Sequence, residues 1–95
     1  LMNILEQIVA DRRRSIVGLP TRAQDYESEP MFFRPVLSLR NRLLSSKTGL
    51  IAEFKRRSPS KGVLNLSADC ASVVKGYQSA GCTGVSVLTE PAFFD

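Results

Sequence analysis

The segment LIAEFKRRSPSKG, residues 50–62, decides the fold because it places charged side chains on an otherwise apolar strand. Side chains alternate across a strand, so Glu53 and Lys55 lie on one face and Ala52 and Phe54 on the other. The strand then runs into a basic loop rich in Ser, Pro and Gly. An acidic and a basic side chain at the end of such a strand are typical of a strand whose end lies in an active site.

The rest of the second half predicts a strand–helix–strand unit. The patterns predict a strand at 50–55, a loop to about Ser67, a helix over 69–80 and a second strand at 84–89. A helix between two strands favours a right-handed crossover and parallel pairing. Parallel sheets are normally covered on both faces by further strands and helices. We therefore expect the chain to be a truncated part of a larger α/β fold.

The first half predicts two helices. Asn3 and Glu6 have the spacing of a capping box, and the first helix is expected to end near Gly18. Residues 20–31 contain two prolines and three acids with little periodicity, which predicts a loop. Pro35 is expected in the first turn of the second helix.

Composition and charge make several classes of protein improbable. No apolar run approaches the roughly 18–20 residues that span a bilayer, and a secretory signal pattern is missing, so we expect a cytoplasmic chain without a membrane partner. The net charge is +4, but residues 1–47 carry eight basic and five acidic groups and residues 48–95 carry five and four. Acids are thus interspersed throughout, which argues against a nucleic-acid partner.

The chain has few residues that could bind a metal ion. It contains two cysteines, Cys70 and Cys82, and no histidine. The usual zinc ligand sets cannot be assembled from these residues, so no metal site is expected. Each cysteine lies in an apolar stretch, where a free thiol behaves as a small core residue.

Residues 51–62 resemble the signature at the end of the first barrel strand in indole-3-glycerol phosphate synthases, a family of the tryptophan pathway. Residues 86–94 are similar to the family's second strand and following loop, and residues 4–13 to its leading helix. The resemblance implies the (β/α)8 TIM barrel fold. Residues 1–47 would form its N-terminal helical extension and residues 48–95 the first βαβ portion of the truncated barrel.

The resemblance also implies an activity and its site residues. The family cyclises 1-(2-carboxyphenylamino)-1-deoxyribulose 5-phosphate to indole-3-glycerol phosphate with loss of CO2 and water, a carbon–carbon lyase reaction that needs no cofactor. Lys55 would contact this phosphorylated substrate and assist the acid chemistry, with Glu53 keeping it protonated and oriented. Ser58 and Pro59 would approach the carboxylated ring, and Phe94 would line the ring pocket.

Other active-site groups of the family lie on strands outside this chain. They include a second lysine, a later carboxylate and most of the phosphate site. We therefore expect the chain alone to be inactive. We also expect its apolar strand faces to be covered by another copy or by a complementary fragment.

Less specific interpretations stay open. The chain could belong to another barrel enzyme that binds a sugar phosphate, or be a small basic nucleic-acid-binding module. Glu53 and Lys55 could form a merely structural ion pair, since such networks also bring charges together. For Arg56, Arg57 and Lys61 a solvated loop face is the preferred interpretation.

Overall fold

The computed structural model describes residues 1–95, which divide into two units, Leu1–Leu37 and Ser38–Asp95. The first unit contains one α-helix and one short 3-10 helix, and the second contains all the strands. In chain order the elements are α1 (Ile4–Ser15), the 3-10 helix (Ala23–Tyr26), α2 (Leu39–Ser45), β1 (Ile51–Phe54), β2 (Arg57–Ser58), β3 (Gly62–Val63), α3 (Cys70–Ser79) and β4 (Gly84–Val87).

The predicted strand–helix–strand unit is confirmed. β1 and β4 pair in parallel, with Ile51 opposite Gly84, and they form a two-stranded sheet rather than a closed barrel. α3 connects the strands and packs on β1, where the Tyr77 hydroxyl donates a hydrogen bond to the carbonyl oxygen of Glu53 at 3.3 Å. Phe54, only 4% exposed, is the most buried apolar side chain. It marks the small core of this unit.

The ends of α3 follow from its capping residues. The Asp69 carboxylate accepts hydrogen bonds from the backbone N–H of Ser72 at 2.9 Å and from its hydroxyl at 2.6 Å. These contacts make Asp69 the N-cap. Gly81 follows the helix with a φ of 95°, a conformation that glycine adopts without strain. The predicted helix over 69–80 is therefore confirmed, with both ends one residue shorter.

α1 begins as predicted. The Asn3 side chain accepts from the backbone N–H of Glu6, and the Glu6 carboxylate accepts from the backbone N–H of Asn3, both at 2.9 Å. The helix ends at Ser15, before the predicted end near Gly18. Residues 20–31, predicted as a loop, contain the 3-10 helix instead.

The prediction that Pro35 lies in the first turn of the second helix is wrong. α2 starts after Ser38, whose hydroxyl accepts the backbone N–H of Asn41 at 3.1 Å. A side-chain cap satisfies a backbone donor that the first turn leaves free, so it fixes the helix start more strongly than the proline does.

The loop after β1 contains a hairpin that the sequence did not predict. β2 and β3 pair in antiparallel register, with Arg57 opposite Val63 and Ser58 opposite Gly62. The turn between them is closed by Ser58, whose hydroxyl oxygen accepts the backbone N–H of Lys61 at 3.0 Å. This hairpin makes the basic loop an ordered structure.

The two ends of the β1–β4 sheet have different surroundings. At the amino ends of the strands, Leu39 of α2 lies so close to Gly84 that an added Cβ would be 2.9 Å from its Cδ1 atom. The Thr83 hydroxyl donates to the Ser46 hydroxyl at 2.8 Å beside it. α2 therefore closes this end. The carboxyl ends lead into the charged loops.

None of the helices combines the length and the apolar character that crossing a membrane would require.

Candidate active site

Glu53 and Lys55 form an ion pair at the carboxyl end of β1. The Lys55 Nζ and Glu53 Oε1 atoms are 3.0 Å apart, and the side chains are 34% and 48% exposed, respectively. An ion pair this open to solvent typically contributes only about 0–1 kcal/mol to folding. A contribution to folding this small does not explain why the ion pair is present. The geometry of the pair leaves the Lys55 ammonium accessible on an open sheet face.

Ser58 and Pro59 occupy different positions in the β2–β3 hairpin. Ser58 is 6% exposed, and its hydroxyl, which closes the turn, is also 3.5 Å from that of Ser60. Pro59 is exposed at the turn. The Ser58 side chain is thus occupied in shaping the turn, and Pro59 presents its ring to solvent.

Phe94 is half-buried in the turn that follows β4. Its backbone N–H donates to the carbonyl oxygen of Glu90 at 3.2 Å, and its own carbonyl oxygen accepts the N–H of Arg57 at 3.1 Å. Because Arg57 is the first residue of β2, this bond brings Phe94 to the start of the hairpin. The sequence-predicted residues thus form two groups: the Glu53–Lys55 pair, and the hairpin together with Phe94.

The contacts of Arg57 are a feature that the sequence interpretation missed. The Arg57 guanidinium Nη2 donates to the carbonyl oxygens of Pro91 at 3.0 Å and Ala92 at 2.6 Å. The solvated loop face expected for Arg57 is therefore wrong. The physical reason is that the carbonyl groups after β4 have no strand partner, and a guanidinium reaches two of them at once.

Arg56 also departs from the expected solvated face. Its Nε–H donates to the carbonyl oxygen of Ala68 at 3.0 Å. Its guanidinium carbon lies 5.3 Å from the centre of the Phe54 ring, within the range of a cation–π contact. Two adjacent arginines therefore tie the loop after β1 to two different parts of the unit. Adjacent arginines in a loop give no sequence signal for either contact.

The charges around the hairpin favour an anion. Four cations and one acid lie between residues 53 and 61.

The carboxylate of Asp69 lies near the hairpin and has a lowered pKa. Hydrogen bonds from the hydroxyl and then the N–H of Ser72, together with the charge of Arg56, lower this pKa below the ordinary value of 3.8, so the carboxylate stays ionised readily. No group of three His, Cys, Asp or Glu side chains is placed to hold a metal ion.

Comparisons with known proteins agree on one family. A family model described as indole-3-glycerol phosphate synthase matches residues 5–95. Proteins named indole-3-glycerol phosphate synthase are similar to the chain. The one from Listeria welshimeri is 37% identical over 93 residues, covering 98% of this chain and 35% of the relative.

Two further relatives carry the same name. The protein from Bacteroides thetaiotaomicron is 38% identical over 97 residues, covering 99% of this chain and 37% of the relative. The protein from Geobacillus kaustophilus is 37% identical over 91 residues, covering 96% and 34%. The chain thus spans about a third of the length of these curated relatives. It belongs to the indole-3-glycerol phosphate synthase family.

Proposed function

We propose that this chain supplies the amino-terminal part of the active site of an indole-3-glycerol phosphate synthase. The reaction is the cyclisation of 1-(2-carboxyphenylamino)-1-deoxyribulose 5-phosphate with loss of CO2 and water, which makes the complete protein a carbon–carbon lyase. Residues 1–47 serve as a helical extension and residues 48–95 as the first βαβ portion of a TIM barrel. The observation that carries the proposal is the open Glu53–Lys55 ion pair at the carboxyl end of β1.

Lys55 binds the anionic substrate and assists protonation of its ketone oxygen. An ammonium group has three N–H donors. One is directed to Glu53 at 3.0 Å, so two remain for oxygen atoms of a carboxylate or carbonyl group. Glu53 orients the ammonium and balances its charge on the open face of β1. Ring closure develops negative charge on oxygen, and a fixed cation beside that oxygen lowers the barrier.

The hairpin and Phe94 bind the aromatic part of the substrate. Pro59 is exposed and Phe94 half-buried, and both offer apolar surface to a ring. Ser58 keeps the turn in shape through its bond to Lys61. The positive loop beside these residues suits the carboxylate on that ring. This reaction requires no cofactor from the chain.

We further infer that residues 1–95 alone are inactive and that their apolar surface needs a second polypeptide, either another copy or a complementary fragment. Phe54, at 4% exposure, is the only buried apolar side chain, and many large ones stay exposed, including Ile51 and Val87 on the sheet. A single buried side chain cannot offset the conformational entropy lost by ordering the chain. Light scattering of the isolated chain should show association, and a compact monomer would contradict this inference.

The test of the proposed activity is a chimera in which residues 5–95 replace the matching third of the Geobacillus kaustophilus relative. The chimera should form indole-3-glycerol phosphate, followed by its fluorescence. Lys55→Met should lower kcat/KM by at least about 100-fold, the usual contribution of a positioned proton donor. Lys75→Met, which removes an exposed lysine on α3, should leave kcat/KM unchanged. A chimera that keeps its activity with Lys55→Met would refute the role of Lys55.

A further inference from the structure

We infer that Arg57 is a positioning residue for Phe94, so that it controls substrate affinity without touching the substrate. This inference rests on the proposed function, in which Phe94 contacts the substrate ring. Its basis is the set of hydrogen bonds that join the start of the β2–β3 hairpin to the turn after β4. The relevant segment of that turn is residues 91–94, called here the aromatic turn.

Arg57 contacts three of the four residues of the aromatic turn. Its guanidinium donates to the carbonyl oxygens of Pro91 and Ala92, and its backbone N–H donates to the carbonyl oxygen of Phe94. The 2.6 Å bond to Ala92 is slightly shorter than the range of about 2.7–2.9 Å that is usual for a charged N–H donor. One residue thus holds both the beginning and the end of the aromatic turn.

Glu90 completes the attachment from the other side. Its carboxylate accepts the backbone N–H groups of Ala92 and Phe93, both at 2.8 Å. Two N–H groups of the aromatic turn are therefore bound to the Glu90 carboxylate, and two of its carbonyl groups are bound to the Arg57 guanidinium. A loop outside helices and strands is usually mobile, and these bonds replace the regular pairing that it lacks.

The contacts depend on the length of the arginine side chain, because both bonds come from its terminal Nη2 atom. A guanidinium presents several donors in a rigid plane, whereas a lysine ammonium is a compact charge on a flexible stem. The Nη2 atom spans two successive carbonyl oxygens, and the Nε–H of Arg57 is buried without a partner. The side chain is therefore held by its far end, and a shorter or differently shaped cation would release the turn.

The effect of Arg57 should reach the substrate only through the Phe94 ring. Arg57 makes no hydrogen bond or ion pair with Glu53 or Lys55, so the proton-transfer group stays in place when Arg57 is replaced. Loosening Phe94 weakens binding of the ring. The change should appear in KM, with kcat nearly preserved.

The experiment measures the chimera with Arg57→Met, Arg57→Lys and Phe94→Ala, alone and combined. Arg57→Met should raise KM about tenfold, because it weakens a ring contact made equally in the ground state and the transition state, and leave kcat within about threefold. Arg57→Lys should restore little of the affinity. Because Arg57 acts through the ring, Arg57→Met should add almost nothing in the Phe94→Ala background.

Two outcomes would overturn the inference. One is an unchanged KM with Arg57→Met, and the other is a KM increase of the same size with and without the Phe94 ring. Lys75→Met is the control for loss of a cation, and the urea midpoint of each variant reports general destabilisation. Failure of the proposed function would give a different result. The unmodified chimera would then show no turnover, or its turnover would be unaffected by Lys55→Met.

Discussion

The two ends of the β1–β4 sheet differ in chemistry although the same two strands form both. At the amino ends, Leu39 packs against Gly84 and the Ser46 and Thr83 hydroxyl groups pair, so the contacts there are close and uncharged. At the carboxyl ends, the open Glu53–Lys55 pair is followed by two charged loops. One end is closed by packing and the other presents charge to solvent.

The difference shows how a parallel sheet separates stability from function. The carboxyl ends of parallel strands all lie at one side, so groups following successive strands meet there without disturbing the packing elsewhere. In barrels, residues at the amino ends therefore serve stability and residues at the carboxyl ends serve chemistry. Substitutions at one end of this sheet should accordingly change the free energy of unfolding, and those at the other end the activity.

Of the substitutions at the two ends of the sheet, the largest effect is expected from Glu53→Gln at the carboxyl end. The amide keeps the shape but loses the charge that orients the Lys55 ammonium, so kcat/KM of the chimera should fall at least about tenfold. The free energy of unfolding should change by less than about 1 kcal/mol, because the pair is open to solvent. A large loss of stability in urea unfolding, without loss of activity, would make the pair a structural one.

The opposite response is expected from Gly84→Val at the amino end. The added side chain must displace Leu39, and overpacking of this kind costs about 1–3 kcal/mol. Urea unfolding of the chimera should show this cost, with kcat/KM of the folded enzyme nearly unchanged. Leu39→Ala makes room for the added side chain, so the double variant should lose less stability than the sum of the two single variants. Additive losses would contradict the contact.

A smaller effect concerns Asp69, the N-cap of α3, where hydrogen bonds from Ser72 and the nearby charge of Arg56 lower the pKa of the carboxyl group. Its pKa is lower in the folded chain, so folding favours the carboxylate, and the stabilisation is present above the ordinary value of 3.8 and lost as the pH falls through the folded pKa. Asparagine also caps helices but does not titrate in this range. The urea midpoint of the chimera should therefore fall more steeply below pH 4 than that of Asp69→Asn. Parallel curves would contradict the lowered pKa.

The sequence predicted the parts of the fold that depend on local signals. The alternation around Glu53 predicted β1, and the pattern over residues 69–80 predicted α3. The parallel pairing followed from the order of these elements. The motif at residues 51–62 also led to the family.

Features that depend on distant contacts were not predictable. Arg57 bonds to carbonyl groups more than thirty residues away, and nothing in a local pattern identifies that partner. The β2–β3 hairpin has two residues in each strand, which is too short for alternation to be visible. The start of α2 was misplaced because Pro35 and Ser38 are both acceptable helix starts, and the Ser38 cap prevailed. The assignment of residues 1–47 and 48–95 as separate domains stays a prediction.

The most direct test of the central claim, that this chain supplies one part of an active site, is fragment complementation. Residues 1–95 are mixed with the Geobacillus kaustophilus relative from which the matching third has been deleted, and formation of indole-3-glycerol phosphate is followed by fluorescence. We predict turnover only when both polypeptides are present, and none when the added chain carries Lys55→Met. Turnover by residues 1–95 alone, or equal turnover with the Lys55→Met chain, would contradict the account.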